Sequence, residues 1–108
     1  MLNHLYILDE HHNAVPCPDA LVWGRWMKSE TLHVKHEEIG PYWVSTVFLG
    51  FDPNLREDLP PRLFETMVFL SGTHDGGGMT VQERYSTWEE ALEGHNVIAA
   101  KMRAAAAG

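Results

Sequence analysis

Seven histidines, one cysteine and 15 acidic side chains in 108 residues raise the question of metal, nucleophilic or acid–base chemistry. A tetrahedral metal site needs three or four His, Cys or carboxylate ligands, with near neighbours on one face of an element. His33 and His36 differ by an odd step, so an extended strand points them apart. His11 and His12 are adjacent and could both bind only from a bent backbone. With no HExxH and no cysteine pair, neither a metal site nor a cofactor is expected. Cys17 lies between Pro16 and Pro18 with no activating motif, and it reads as a small, partly buried thiol rather than a nucleophile. The segment GTHDGGG lacks the GxxxxGK[ST] order of a phosphate loop. It reads as a hairpin loop, with His74 and Asp75 at its tip as candidate binding residues.

Two side chains stand where an apolar one is expected. His95 falls on the stripe of a helix between Leu92 and Ile98, where burial lowers its pKa and both ring nitrogens need partners. It is either a structural histidine bonded to a strand hydroxyl (Ser45 or Thr46) or a backbone carbonyl, or a general base beside the sheet. Glu65 interrupts the apolar run LFETMVF. It either points to solvent, pairs with Arg62 or Arg84, or sits buried with a raised pKa suited to acid–base work. Glu83, Glu89, Glu90 and Glu93 gather around the start of the same helix as His95. A solvated face that suits the helix dipole accounts for them; an acidic patch that competes for a basic groove is the sharper alternative.

The elements that position these groups read as follows. Leu5–Leu8 and Ala14–Pro16 suggest a small hairpin that the prolines at 16 and 18 bring to an end. Asp19 is either the N-cap of a short helix from Ala20 to about Ser29 or an early acidic residue facing its positive end; Leu21, Val22, Trp26 and Ser29 lie on one side and Trp23 and Met27 on an adjoining strip. Thr31–Ile39 reads as a strand with Leu32, Val34 and His36 on one face and His33, Lys35 and Glu37 on the other. Gly40-Pro41 then turns the chain. In Tyr42–Phe51 both alternating sets are largely apolar, so this strand is either covered on both sides or gives one face to a partner. Leu63–Ser71 and Thr80–Ser86 supply two more strands. Thr87-Trp88-Glu89-Glu90 is a capping box that opens a helix carrying Trp88, Leu92, His95, Ile98 or Ala99, and Met102 on one stripe, with a fraying tail KMRAAAAG. The fold class expected is α+β: one domain, 1–108, with a mainly antiparallel sheet and two helices, the longer one C-terminal.

Composition narrows the functions. An apolar fraction of 44% with 21% charged residues suits a globular chain rather than a disordered one. The net charge of −7 opposes direct binding to nucleic acid or to acidic membrane surfaces, because both need Lys and Arg against phosphates. A basic partner stays compatible. No stretch approaches the roughly 18 apolar residues of a membrane span. A lone cysteine fits a reducing compartment, so a cytoplasmic location is expected.

The wording VSTVFLGFD, LFETMVF and RYSTWEEALEGH, with YILDE and PCPD near the start, resembles a family of small uncharacterised proteins encoded by bacteriophages and prophages. The resemblance covers most of the chain and implies work inside an infected or lysogenic bacterial cell, with no mechanism attached. It implies an accessory factor that binds a host or defence component. One departure is visible: His11-His12-Asn13 replaces an Asp-Gly-like opening turn, which argues against a special role for that histidine pair. The leading expectation is a non-enzymatic protein-binding module, with a homodimer through a sheet face as a companion. A small enzyme or ligand binder, with a pocket between sheet and C-terminal helix around His95, is the alternative. A minor virion component is a third.

Overall fold

Asp9 turns the chain back on itself. Its carboxylate accepts the backbone amides of His11 (2.8 Å) and Asn13 (2.9 Å), closing a hairpin of β1 (Tyr6–Leu8) and β2 (Ala14–Pro16). The computed structural model describes residues 4–30, 32–54, 56, 58–70 and 81–108. After the hairpin come helix α1 (Ala20–Ser29) and strands β3 (His33–Ile39), β4 (Tyr42–Phe48), β5 (Phe64–Leu70) and β6 (Val81–Tyr85). Helix α2 (Trp88–Ala107) completes the order. The four long strands pair antiparallel in sequence order, so the fold is α+β as expected. No helix among the described residues is long and apolar enough to cross a membrane.

The hairpin extends past Pro16, since the Cys17 amide donates to the Leu5 carbonyl at 2.8 Å. His12 holds a left-handed φ of 65°, a backbone state that costs a residue with a β-carbon about 1 kcal/mol. Its ring lies flat on Trp88, with centroids 3.8 Å apart and planes 9° from parallel. His12 thus fastens the hairpin to the first turn of α2.

Asp19 caps α1 by accepting the amides of Leu21 and Val22. The buried side of α1 differs from expectation. Leu21 and Val22 are 74% and 46% exposed, while Trp23, Trp26 and Met27 turn inward. The longer side chains reach further: Trp23 Nε1 donates to the Tyr6 carbonyl at 3.0 Å, and Trp26 meets Phe48 edge-on.

One face of the four-stranded sheet lies against α2. It carries Val44, Thr46 and Phe48 from β4 and Phe64, Thr66 and Val68 from β5, all fully or almost fully buried. The other face carries Trp43, Ser45 and Val47 opposite Phe69, Met67 and Glu65. In β3 the pairing shifts between His33 and Lys35, a bulge that reverses the alternation. Leu32, Val34, Lys35, Glu37 and Ile39 therefore serve the α2 side, and His33 and His36 share the outer face with their rings 5.4 Å apart. This corrects the expectation that these two histidines point apart.

The Thr87–Glu90 capping box starts α2. Its buried positions are Ala91, His95, Ile98 and Ala99, with Leu92 and Met102 only half-buried at the flanks. Small residues let the helix approach the sheet closely. The expected fraying of the tail is also corrected. Helix continues to Ala107, and Ala106 packs over the β3–β4 turn so closely that a β-carbon on Gly40 (φ 57°) would lie 2.9 Å from it.

Candidate functional site

The bulge in β3 aims Glu37 under α2, and there it meets His95. Glu37 Oε1 lies 2.9 Å from His95 Nε2, and His95 Nδ1 lies 2.6 Å from Thr46 Oγ1, which in turn bonds Thr66 Oγ1. An ionised Glu37 can only accept, so Nε2 carries the proton and Nδ1 accepts from the Thr46 hydroxyl. Thr46 then accepts from Thr66. Arg103 Nη2 donates to the second Glu37 oxygen at 2.6 Å, and Lys35 donates to Asn96 at 2.9 Å while lying 3.7 Å from Glu37. Burial lowers the His95 pKa, aided by the charges of Lys35 and Arg103 and opposed by Glu37. Glu37 is raised by burial, but the His95 bond and the two cations more than offset this and hold it below its ordinary value.

A hydroxyl, an imidazole and a carboxylate in this order are the parts of a nucleophile–base–orienter relay. Here His95, Thr46 and Thr66 have no exposed surface at all. No reacting group can reach the Thr46 oxygen, and every bond in the chain is spent on a neighbour in the core. His95 is thus bonded to a strand hydroxyl, one of the two partners named from sequence. At the far side of the pair, the Tyr85 phenol lies against Gly94, where an added β-carbon would stand 2.2 Å from the ring. Burial raises the Tyr85 pKa; the nearby Thr66 hydroxyl opposes this without forming a well-aligned hydrogen bond, and Glu83 adds to it.

Glu65 is on the outer face, buried, and takes Arg84 Nε at 2.9 Å and Gln82 Nε2 at 2.5 Å on one oxygen. Its charge is therefore compensated by Arg84, as one sequence reading allowed. Beyond it the outer face is a row of half-buried Val47, Met67, Trp43 and Phe69. At the β3 edge, Trp43 Nε1 donates to His36 Nδ1 at 2.9 Å. Burial and the charge of His33 lower the His36 pKa, with Glu38 opposing. Among the described elements, only α2 lies across the four-stranded sheet, and it covers the opposite face.

The acidic residues of α2 divide in role. Glu90 Oε1 accepts the amides of Ser86 (3.1 Å) and Thr87 (3.3 Å), so it belongs to the cap, while Glu89 and Glu93 are exposed. They do not form a uniform acidic patch, because Glu90 and Glu93 line one cleft together with Arg56, Arg62 and Arg84. His74 and Asp75 lie outside the described residues. Among the described residues no three His, Cys, Asp or Glu side chains are placed to hold a metal ion. Glu37 is the member of the buried chain that sequence reasoning missed. Strict alternation placed it beside Lys35, which is correct, yet nothing in the local pattern announced that this face would be the inner one. Comparison of the chain with protein-family models, with curated proteins and with solved structures returned no match.

Proposed function

We propose that the chain is a non-enzymatic binding module that presents the outer face of its four-stranded sheet to a protein partner. The observation that carries this reading is the row of Val47, Met67 and Phe69, an apolar surface with no described element lying across it. Aromatic and methionine side chains of this kind make the central contacts of protein interfaces. The burial of His95 supports the same reading from the other side, since the residue most suited to catalysis is occupied in the core. With a net charge of −7, the chain favours a partner whose rim is basic around an apolar centre, and it disfavours nucleic acid. The setting we infer is that of a phage-type or prophage-type accessory protein in the bacterial cytoplasm; the resemblance in strand and helix wording is its support.

Site-specific photo-crosslinking in bacterial cells tests the proposal. A cross-linker at position 69 should give a discrete adduct that is absent from a cross-linker at position 97 on α2 and lost on Val47→Lys. An adduct of twice the chain mass, with light scattering reporting a dimer, makes the partner a second copy of the chain. Identical adduct patterns from positions 69 and 97, or an adduct indifferent to Val47→Lys, overturn the reading.

A further inference from the structure

Three of the five arginines in this acidic chain converge on one cleft. It lies at the β6 edge of the sheet, between α2 and the connection from β4 to β5, and has a volume of about 530 Å³. Arg56, Arg62 and Arg84 line it, and Leu59 and Val97 add apolar surface to the lining. We propose that this cleft binds a small organic acid, with the carboxylate on the arginines and the apolar body against Leu59 and Val97. The proposal is independent of the outer sheet face.

Several observations converge on this ligand class. The volume lies in the range of small-molecule sites, and such sites combine an apolar lining with a few convergent polar groups. Arg62 Nε is buried without a hydrogen-bond partner. Its nearest carboxylate oxygen, Asp52 Oδ2, is 4.0 Å away and already accepts the Arg62 backbone amide at 2.9 Å. Nε itself is sealed from the cleft, but the Arg62 side chain is 31% exposed and makes no hydrogen bond among the described residues, so the outer nitrogens of its guanidinium are left for an acceptor supplied from outside. Arg84 is fixed by Glu65 through Nε alone, which holds its guanidinium in place at the cleft wall. Leu59 and Val97 are 44% and 52% exposed, among the most exposed large apolar side chains of the described chain.

The two acids in the same lining set the charge of the ligand. Glu90 is engaged by the Ser86 and Thr87 amides, and Glu93 stands exposed at the rim. Their field tolerates a single negative charge held by the arginines and disfavours a phosphate dianion. A neutral apolar molecule, by contrast, would leave the Arg62 donor unmet.

The test is a titration of isotopically labelled protein by NMR, following the backbone amides of Ser86, Gly94 and Val97. The probes are 4-methylpentanoate, acetate, 4-methylpentan-1-ol and inorganic phosphate. The expected result is saturable shifts with 4-methylpentanoate. Acetate should bind at least about tenfold more weakly, because each buried methylene contributes roughly fourfold. The alcohol and phosphate should also bind more weakly. Val97→Glu, at an exposed helix position, should abolish the shifts while leaving the fold intact. Arg62→Met should weaken binding about tenfold or more through loss of a charged hydrogen bond. Absence of saturable shifts with 4-methylpentanoate, equal binding of the alcohol or of phosphate, or a Val97→Glu protein that binds as the parent does would each overturn the proposal.

Discussion

Replacing Thr46 by valine isolates the centre of the buried polar chain. Valine fills nearly the same volume, so no cavity opens and packing against α2 is kept. What disappears is one hydroxyl that donates to His95 Nδ1 and accepts from Thr66. Both partners are fully buried, so neither can turn to solvent. An unmet buried group costs about 1–3 kcal/mol, and two are created. The buried methyl that replaces the hydroxyl returns about 1 kcal/mol. The Thr66 hydroxyl can rotate toward a backbone carbonyl, which recovers part of its share. The net expectation is a loss of about 2–4 kcal/mol, a large part of the 5–15 kcal/mol typical of a domain. Urea unfolding followed by tryptophan fluorescence measures it. Thr46→Val with Thr66→Val should cost less than the sum of the single losses, by about 1–2 kcal/mol, because the second change removes one orphan made by the first. A single-variant loss below about 0.5 kcal/mol, or strict additivity, would refute the hydrogen-bonded chain itself.

Gly94→Ala should destabilise by about 1–3 kcal/mol, since its β-carbon would lie 2.2 Å from the Tyr85 ring; thermal unfolding reads this directly. Gly24→Ala should do the reverse and stabilise by about 0.5–1 kcal/mol, because an added β-carbon in this helix interior meets nothing within 4 Å. The lowered His95 pKa means that the folded state favours the neutral ring. Its contribution is complete above the ordinary histidine value of 6.5 and is lost as pH falls from there toward the lower folded-state value. The urea midpoint should therefore fall over that window, and His95→Gln should flatten the fall; an unchanged slope in the variant would count against the assignment.

The elements with strong local signals were legible. Asp19 and the Thr87–Glu90 pair are capping residues whose oxygens can be placed from sequence alone, and both caps form as read. The apolar run of β4 announced two largely apolar faces, and helix periodicity placed His95 on the core stripe, with a strand hydroxyl as one of the partners it allowed. What was illegible depends on geometry that alternation does not encode. The bulge at His33–Lys35 moves one residue out of register, and everything after it changes face. Without it, His33 and His36 point apart and the pairing of Glu37 with His95 has no basis. The inward face of α1 was misread because Trp23 and Met27 outreach Leu21 and Val22 across a gap that the hairpin defines. The cleft was invisible for a similar reason: Arg56 and Arg62 from the β4–β5 connection and Arg84 from β6 meet in one lining only through the fold.

A histidine, a glutamate and two threonines beneath α2 add little hydrophobic stabilisation, yet they solve a problem that the rest of the helix creates. The other buried positions of α2 are Ala91, Ile98 and Ala99, and two alanines offer a smooth surface that can slide or rotate against a sheet. Directional bonds from His95 to β3 and β4 at once fix the rotation and the height of the helix, because both ring nitrogens must find their partners together. Buried polar groups of this kind can select one arrangement among several of similar apolar burial. Once α2 is set, Gly94 admits Tyr85, and Val97 takes its place in the cleft wall. The outer sheet face takes no part in this arrangement. Its Val47, Met67 and Phe69 point away from the helix, so their exchange for polar residues should change recognition while leaving the core bonds intact. That separation lets the proposed binding at the outer face be altered without loss of the fold.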